Sequence, residues 1–198
     1  MIGGEVFEFD EDSHTYTLGG RKMLGVSEII QSAGLKDFSR IPPDVLAHAC
    51  ARGRAVHAAC EFFDQNELDW DTVSDEIKPY VVAWQRFKSD CPIEWADIEK
   101  PLYHATFGFA GTPDRIAVAP GRAVYDIKTY APDAVTGVQL AAYSLLRFGP
   151  QPSFDEPKRV AVWLKKDGKY RVTEYSDRGD ESVFMACLTV CKFKGGNK

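Results

Sequence analysis

Two carboxylates and an ammonium fall within one short stretch, GTPDRIAVAPGRAVYDIKT, residues 111–129. Asp114 opens an apolar-rich segment that runs to Ala119, and Asp126 and Lys128 close a second one that begins at Ala123. Pro120-Gly121 between them is a turn signal, so the local expectation is a β-hairpin. In an antiparallel pair joined by a short turn, the start of one strand faces the end of the other, which brings Asp114 and Asp126 together. Period-two alternation puts Asp126 and Lys128 on one strand face. Two acids and a lysine around one point suit a hard divalent cation, with the lysine steadying a water nucleophile or a phosphoryl oxygen. Magnesium-dependent phosphodiester hydrolysis fits this set; solvated charges on an ordinary hairpin are the competing reading.

The elements that would position these residues lie on both sides. Pro42-Pro43-Asp44 introduces a helix from about Val45 to Phe63 with an apolar stripe through Val56, Ala59, Cys60 and Phe63. His57 and Glu61 share one face of it. Gly53 inside that helix costs about 1 kcal/mol against alanine, which implies that something approaches closely there. Arg52 and Arg54 either meet phosphate groups or form a solvated face. A second helix is expected over Asp75 to Ser89, with Trp84 in the core and Pro79 in its early turns. Ile93 to Tyr103 reads as extended and carries Glu99, while His104 in the following loop has no assigned role. Gly108 and Gly111 permit close backbone approach ahead of Asp114.

After Lys128 a helix is expected from about Val135 to Phe148, capped by Thr136, with Gln139 and Tyr143 one turn apart. Lys158 to Leu164 and Lys169 to Val172 form a hairpin around Lys165-Lys166-Asp167-Gly168. Together with Arg159 and Arg171 this is the densest basic interval, a second surface for DNA phosphates or a solvated loop. A terminal helix covers Asp177 to Phe193, and 194–198 reads as a flexible tail. At the other end, Val6 to Phe9 and Thr15 to Leu18 form a hairpin that continues through Met23-Leu24, with His14 a turn or strand residue. Ser27 is placed to cap a short helix through Ile30.

The 198 residues, 44% of them hydrophobic, are enough for one folded α/β or α+β domain and argue against disorder. The whole chain is therefore read as one domain, with residues 1–30 as an N-terminal β-hairpin extension. No uninterrupted apolar stretch is long enough to span a bilayer, and the start lacks a secretion signal, so the default location is the cytoplasm and no membrane partner is expected. A net charge of -5 argues against broad coating of nucleic acid but not against a nuclease, whose local field matters more than its total. The five cysteines contain no C-x-x-C, and their odd count argues against a disulfide framework. Cys187 and Cys191, four apart on a helix, are read as buried apolar residues rather than metal ligands.

Pro113-Asp114 followed by Asp126-Ile127-Lys128 resembles the signature of the PD-(D/E)XK nuclease superfamily. The Gly53-x-x-x-His57 pattern upstream and Gln139-x-x-x-Tyr143 downstream make the chain similar to its RecB-like branch, which takes in phage and mitochondrial exonucleases and the CRISPR-associated Cas4 proteins. The resemblance spans His57 to Tyr143, and a histidine followed by Tyr-Thr before a glycine turn extends it towards the N-terminus. It implies a restriction-endonuclease-like fold, a central mixed β-sheet flanked by helices. It also implies an Mg2+ or Mn2+ ion held by His57, Asp114, Asp126 and the Ile127 carbonyl, with Lys128 acting on water and phosphate. Glu99 would join the second ligand layer or hold a basic residue, unless it is simply solvated. Gln139 and Tyr143 would organise the active-site side and the DNA backbone. Some relatives carry an iron–sulfur cluster on closely spaced cysteines; that spacing is absent, which argues against one here. The implied activity is a DNA exonuclease of phage or prokaryotic recombination and repair, working beside an annealing protein or a helicase. A flap or single-strand endonuclease and a noncatalytic, partner-dependent DNA-binding subunit are its rivals. The sequence carries no recognisable ring interface.

Overall fold

The computed structural model describes residues 5–152 and 155–196. Its strands are β1 (Phe7–Asp10), β2 (Thr15–Leu18), β3 (Arg21–Gly25), β4 (Glu94–Ile98), β5 (Leu102–His104), β6 (Phe109–Gly111), β7 (Arg115–Ala119), β8 (Ala123–Lys128), β9 (Lys158–Leu164) and β10 (Tyr170–Glu174). Its helices are α1 (Val26–Ser32), α2 (Pro43–Asp64), α3 (Lys78–Asp90), α4 (Val135–Phe148) and α5 (Gly179–Gly196), with one turn of 3-10 helix at Trp70–Thr72. The architecture is α/β, with mixed sheets flanked by helices.

The strands form two five-stranded sheets rather than the one central sheet expected, in the orders β10-β9-β8-β7-β4 and β1-β2-β3-β6-β5. In the first, β7 and β8 are antiparallel, with Arg115 opposite Tyr125 and Ala117 opposite Ala123. The neighbouring pair β8 and β9 is parallel and is connected through α4. Both central strands are buried on both faces, which explains why β9 reads as the nearly continuous apolar run RVAVWL. One core cluster joins Val124, Ala161 and Trp163 to α1, α4 and α5; another joins Ile127, Val160, Val162 and Leu164 to α2 and α3. Helices thus cover both faces of the sheet that carries residues 114–128. Trp84 is fully buried in the second cluster, as expected.

The N-terminal hairpin is tied to a later part of the chain through β3. Leu24 and Gly25 pair in parallel with Phe109 and Ala110, so β3 joins β1 and β2 to β6 and β5, the strands that immediately precede Asp114. Parallel pairing of segments so far apart in sequence leaves no local signal, whereas the β1–β2 turn does.

Several boundaries move for identifiable reasons. The second helix begins at Lys78 and not at Asp75, since Pro79 has no N–H to bond the carbonyl of Asp75. Ser27 lies inside the first turn of α1, and Gly25 occupies the cap position. Thr136 is likewise not the cap of α4: its N–H and hydroxyl both donate to Asp133 Oδ1, at 2.7 and 2.9 Å. Helix α5 starts two residues later than expected and runs on to Gly196, tethered by Lys192 Nζ on the Phe107 carbonyl and Lys194 Nζ on that of Ser32. Residues 194–196 are therefore helical rather than part of a tail, and 197–198 lie outside the described residues. Cys187 and Cys191 are buried in the first core cluster, while Cys50 is exposed. His14 sits in the β1–β2 turn at φ 49°, its Nε2 3.4 Å from the Tyr16 hydroxyl. Among the described residues no helix is long and apolar enough to cross a membrane.

Candidate metal centre

The hairpin brings its acids together as its strand directions require. Asp114, just ahead of β7, turns its carboxylate onto the end of β8, where Oδ2 accepts from the Ile127 N–H at 2.6 Å. Asp126 and Lys128 share a face of β8, and Lys128 Nζ lies 2.5 Å from Asp126 Oδ2. All three side chains are buried.

Helix α2 supplies His57 across the same end of the sheet. Its Nε2 meets the Ile127 carbonyl at 2.9 Å, and its Nδ1 faces Asp114 Oδ1 at 3.5 Å and Glu99 Oε1 at 3.6 Å. One ligand atom from each of His57, Glu99 and Asp114 lies within 4.8 Å of the others, a cluster able to hold a metal ion. Glu99 takes a left-handed backbone angle, φ 42°, and its N–H donates to the Asp114 carbonyl at 3.0 Å, which fixes it at the mouth of the cluster. Ile127 is tied on both sides, its N–H to Asp114 and its carbonyl to His57. Asp126 faces Lys128, outside the His57–Glu99–Asp114 group. Glu61, one turn from His57, accepts instead from the Gln65 amide at 3.1 Å.

Beneath the cluster lies a pair that sequence reasoning missed. Arg115 is fully buried; its Nε donates to Asp64 Oδ2 at 2.7 Å, and its Nη1 reaches Glu99 Oε1 at 3.2 Å and the Asp114 carbonyl at 2.7 Å. Glu99 thus does hold a basic residue, and Arg115 in turn fixes the Glu99 carboxylate where it faces His57. The available signal was a charged residue beginning the otherwise apolar run RIAVA. Its partner Asp64 lies 51 positions away at the end of α2 and could not be paired with it by pattern.

On the α4 side, Gln139 Oε1 accepts from Lys128 Nζ at 3.1 Å, and Gln139 Nε2 donates to the Tyr143 hydroxyl at 3.0 Å. Tyr143 also rests on Gly111, where an added Cβ would stand 3.0 Å from Tyr143 Cε1 and 2.9 Å from Val26 Cγ2. Gly111 therefore permits the close approach expected of it. Gly53 does not: a Cβ there would meet nothing within 4 Å, so helix packing does not account for that glycine. Arg52 lies over the Tyr80 ring at 5.8 Å, and Arg54 is exposed, as are Lys165 and Lys166 in the β9–β10 turn.

Burial and mutual charge shift the ionisable groups of the cluster. Burial holds the Asp114 and Asp126 carboxyls above the usual range, despite the opposing pull of His57 and Lys128. Burial disfavours charge on His57 too, but Asp114 and Glu99 outweigh it and push its pKa up to about 9. Burial likewise works against the Lys128 ammonium; Asp126 wins, and Lys128 stays protonated well above the ordinary lysine range. Burial, with Asp126 and Asp114 nearby, keeps Tyr143 a neutral phenol. Buried carboxylates beside an imidazole are groups whose charge a bound cation would stabilise.

Family models matching this chain were not found, and neither was any matching curated protein.

Proposed function

We propose that the chain is a metal-dependent DNA exonuclease of the PD-(D/E)XK kind, similar to the RecB-like branch. The observation that carries the reading is the convergence of His57, Glu99 and Asp114 beside a buried Asp126–Lys128 pair at the end of one hairpin. The donor set, carboxylate oxygens with one imidazole, suits Mg2+ or Mn2+. His57, Glu99 and Asp114 would hold the ion, with Asp126 and the Ile127 carbonyl as the further ligands that the family resemblance implies. Bound there, it supplies Lewis acidity to the phosphate and lowers the pKa of a bound water.

The protein's own groups then divide the remaining work. Lys128, kept cationic by Asp126, stabilises negative charge on the phosphoryl oxygens and orients the attacking water; it is not a proton acceptor in this state. Gln139 holds the Lys128 ammonium on its line, and Tyr143 holds Gln139. Arg115 keeps Glu99 at the centre instead of in solvent. Arg52, Arg54, Lys165 and Lys166 are the basic side chains assigned to the DNA backbone.

The test is incubation of the protein with linear duplex, single-stranded, flapped and closed-circular DNA, each end labelled separately, in Mg2+, Mn2+ or EDTA. Metal-dependent release from an end, absent from closed circles and from Asp114→Ala, is the expected result. Cutting of closed circles would replace the exonuclease with an endonuclease. Binding without turnover in either metal would replace the enzyme with a DNA-binding subunit.

A further inference from the structure

The chain that follows Lys128 lines a separate cleft of about 500 Å³ with aromatic and basic walls. Tyr130 forms one wall and remains 44% exposed. Its ring centroid lies 5.7 Å from Lys128 Nζ and 5.8 Å from the Trp163 ring, so it borders the candidate metal centre directly. Lys36 approaches the same ring at 5.7 Å. Tyr80 lies deeper, with the guanidinium of Arg52 above it, and Arg52 Nε is buried with no hydrogen-bond partner among the described residues. Lys165, Lys166 and Arg171 stand exposed at the rim. The one acid there, Asp167, lies 3.8 Å from Lys169, and the three rim cations have no carboxylate partner among the described residues.

A basic rim alone would serve the backbone of any nucleic acid. A tyrosine ring that stays 44% exposed inside the cleft, with lysine ammonium groups beside it, asks for more, because such a ring can stack on a flat partner whose own face is free. Bases in a duplex are stacked on one another and offer no such face; unpaired bases do, and stacking on an aromatic side chain tolerates every base. We infer that this cleft seats an unpaired base of a single-stranded DNA end on Tyr130, with Arg52, Lys165, Lys166 and Arg171 on the adjoining phosphates. The strand then leads from the cleft to Lys128, and the substrate of the centre is a single strand or a frayed end rather than an intact duplex. This rests on the nuclease reading and adds the strand form that it acts on.

The experiment measures binding of a fluorescent oligothymidine, an abasic strand of equal length and a blunt hairpin duplex by anisotropy in EDTA, where nothing is cut. Wild-type protein, Tyr130→Ala and Tyr130→Phe are compared, with melting temperatures alongside. Tyr130→Ala should bind oligothymidine about ten- to a hundredfold more weakly. Tyr130→Phe, which keeps the ring face, should bind it as the wild type does, and the abasic strand should not distinguish wild type from Tyr130→Ala. Unchanged oligothymidine binding by a folded Tyr130→Ala, or an equal loss on the abasic strand, would overturn the cleft. The two readings fail separately. Tyr130-dependent binding in a protein that cuts no DNA keeps the cleft and removes the nuclease. Wild-type cutting of single-stranded ends by Tyr130→Ala does the reverse.

Discussion

Two buried charge clusters sit on adjacent strands of the same sheet, and they are built oppositely. Arg159 on β9 donates to Asp180 Oδ2 at 2.8 Å, to the Asp177 carbonyl at 2.8 Å and to that of Gly137 at 3.4 Å. One cation meets one carboxylate, and backbone carbonyls take the remaining donors. Around the end of β8 several acids converge instead: Asp114, Asp126 and Glu99 crowd one place, with Lys128 on Asp126, Arg115 shared between Glu99 and Asp64, and His57 facing Asp114 and Glu99. A balanced cluster fastens α5 and α4 to the sheet. A cluster in which two carboxylates and an imidazole bring ligand atoms within 4.8 Å of one another is a place for a cation, and burial of charge by itself does not separate the two.

The largest separation should come from one acid in each cluster. Asp114→Asn should reduce metal-dependent turnover by roughly three orders of magnitude. In EDTA its melting temperature should stay within about 4 °C of wild type, because the cost of burying the Asp114 charge offsets what its pairing with His57 contributes. Asp180→Ala should behave in the opposite way. It strands the buried Arg159 and should lower stability by about 3–5 kcal/mol in urea unfolding, with turnover per folded molecule retained. Equal losses of stability in both variants would erase the distinction between the clusters.

The next effect is on pH dependence and belongs to the acid-rich cluster alone. His57 carries a proton in the metal-free protein up to about pH 9, against 6.5 for a free histidine, so its ion pairing stabilises the fold fully below pH 6.5 and that contribution is lost as pH rises through about 9. A metal ion bound through His57 must displace that proton. Affinity for Mn2+ should therefore rise about tenfold per pH unit between the two values. Calorimetry in buffers of different ionisation enthalpy should find protons released on binding.

The smallest effect lies in the balanced cluster. A methyl on Gly137 would stand 2.6 Å from Asp180 Oδ2 and 2.7 Å from Tyr175 Cδ1. Gly137→Ala should cost about 1–3 kcal/mol in thermal or urea unfolding, with Mn2+ affinity unaltered.

What was legible in the sequence follows the range of the interactions. The hairpin of Asp114, Asp126 and Lys128 depends on alternation and one turn, and the pairing of Gln139 with Tyr143 on a single helical turn; both stand as expected. His57 reaches the hairpin as the family-like spacing suggested. Arg115 with Asp64, the two-sheet arrangement and the β3–β6 pairing each join distant segments whose residue types do not announce a partner. Helix caps shifted because Asp133 and Pro79 impose hydrogen-bonding constraints that outweigh the serine and threonine signals. The close approach expected at Gly53 is not there: the space beside it is open.

The most direct test is titration with Mn2+ at pH 8, following the free ion by electron paramagnetic resonance. The account predicts a saturable site in the wild type, weakened in Asp114→Asn and Glu99→Gln and unchanged in Asp180→Asn. No saturable binding in the wild type, or equal binding in all four proteins, would contradict it.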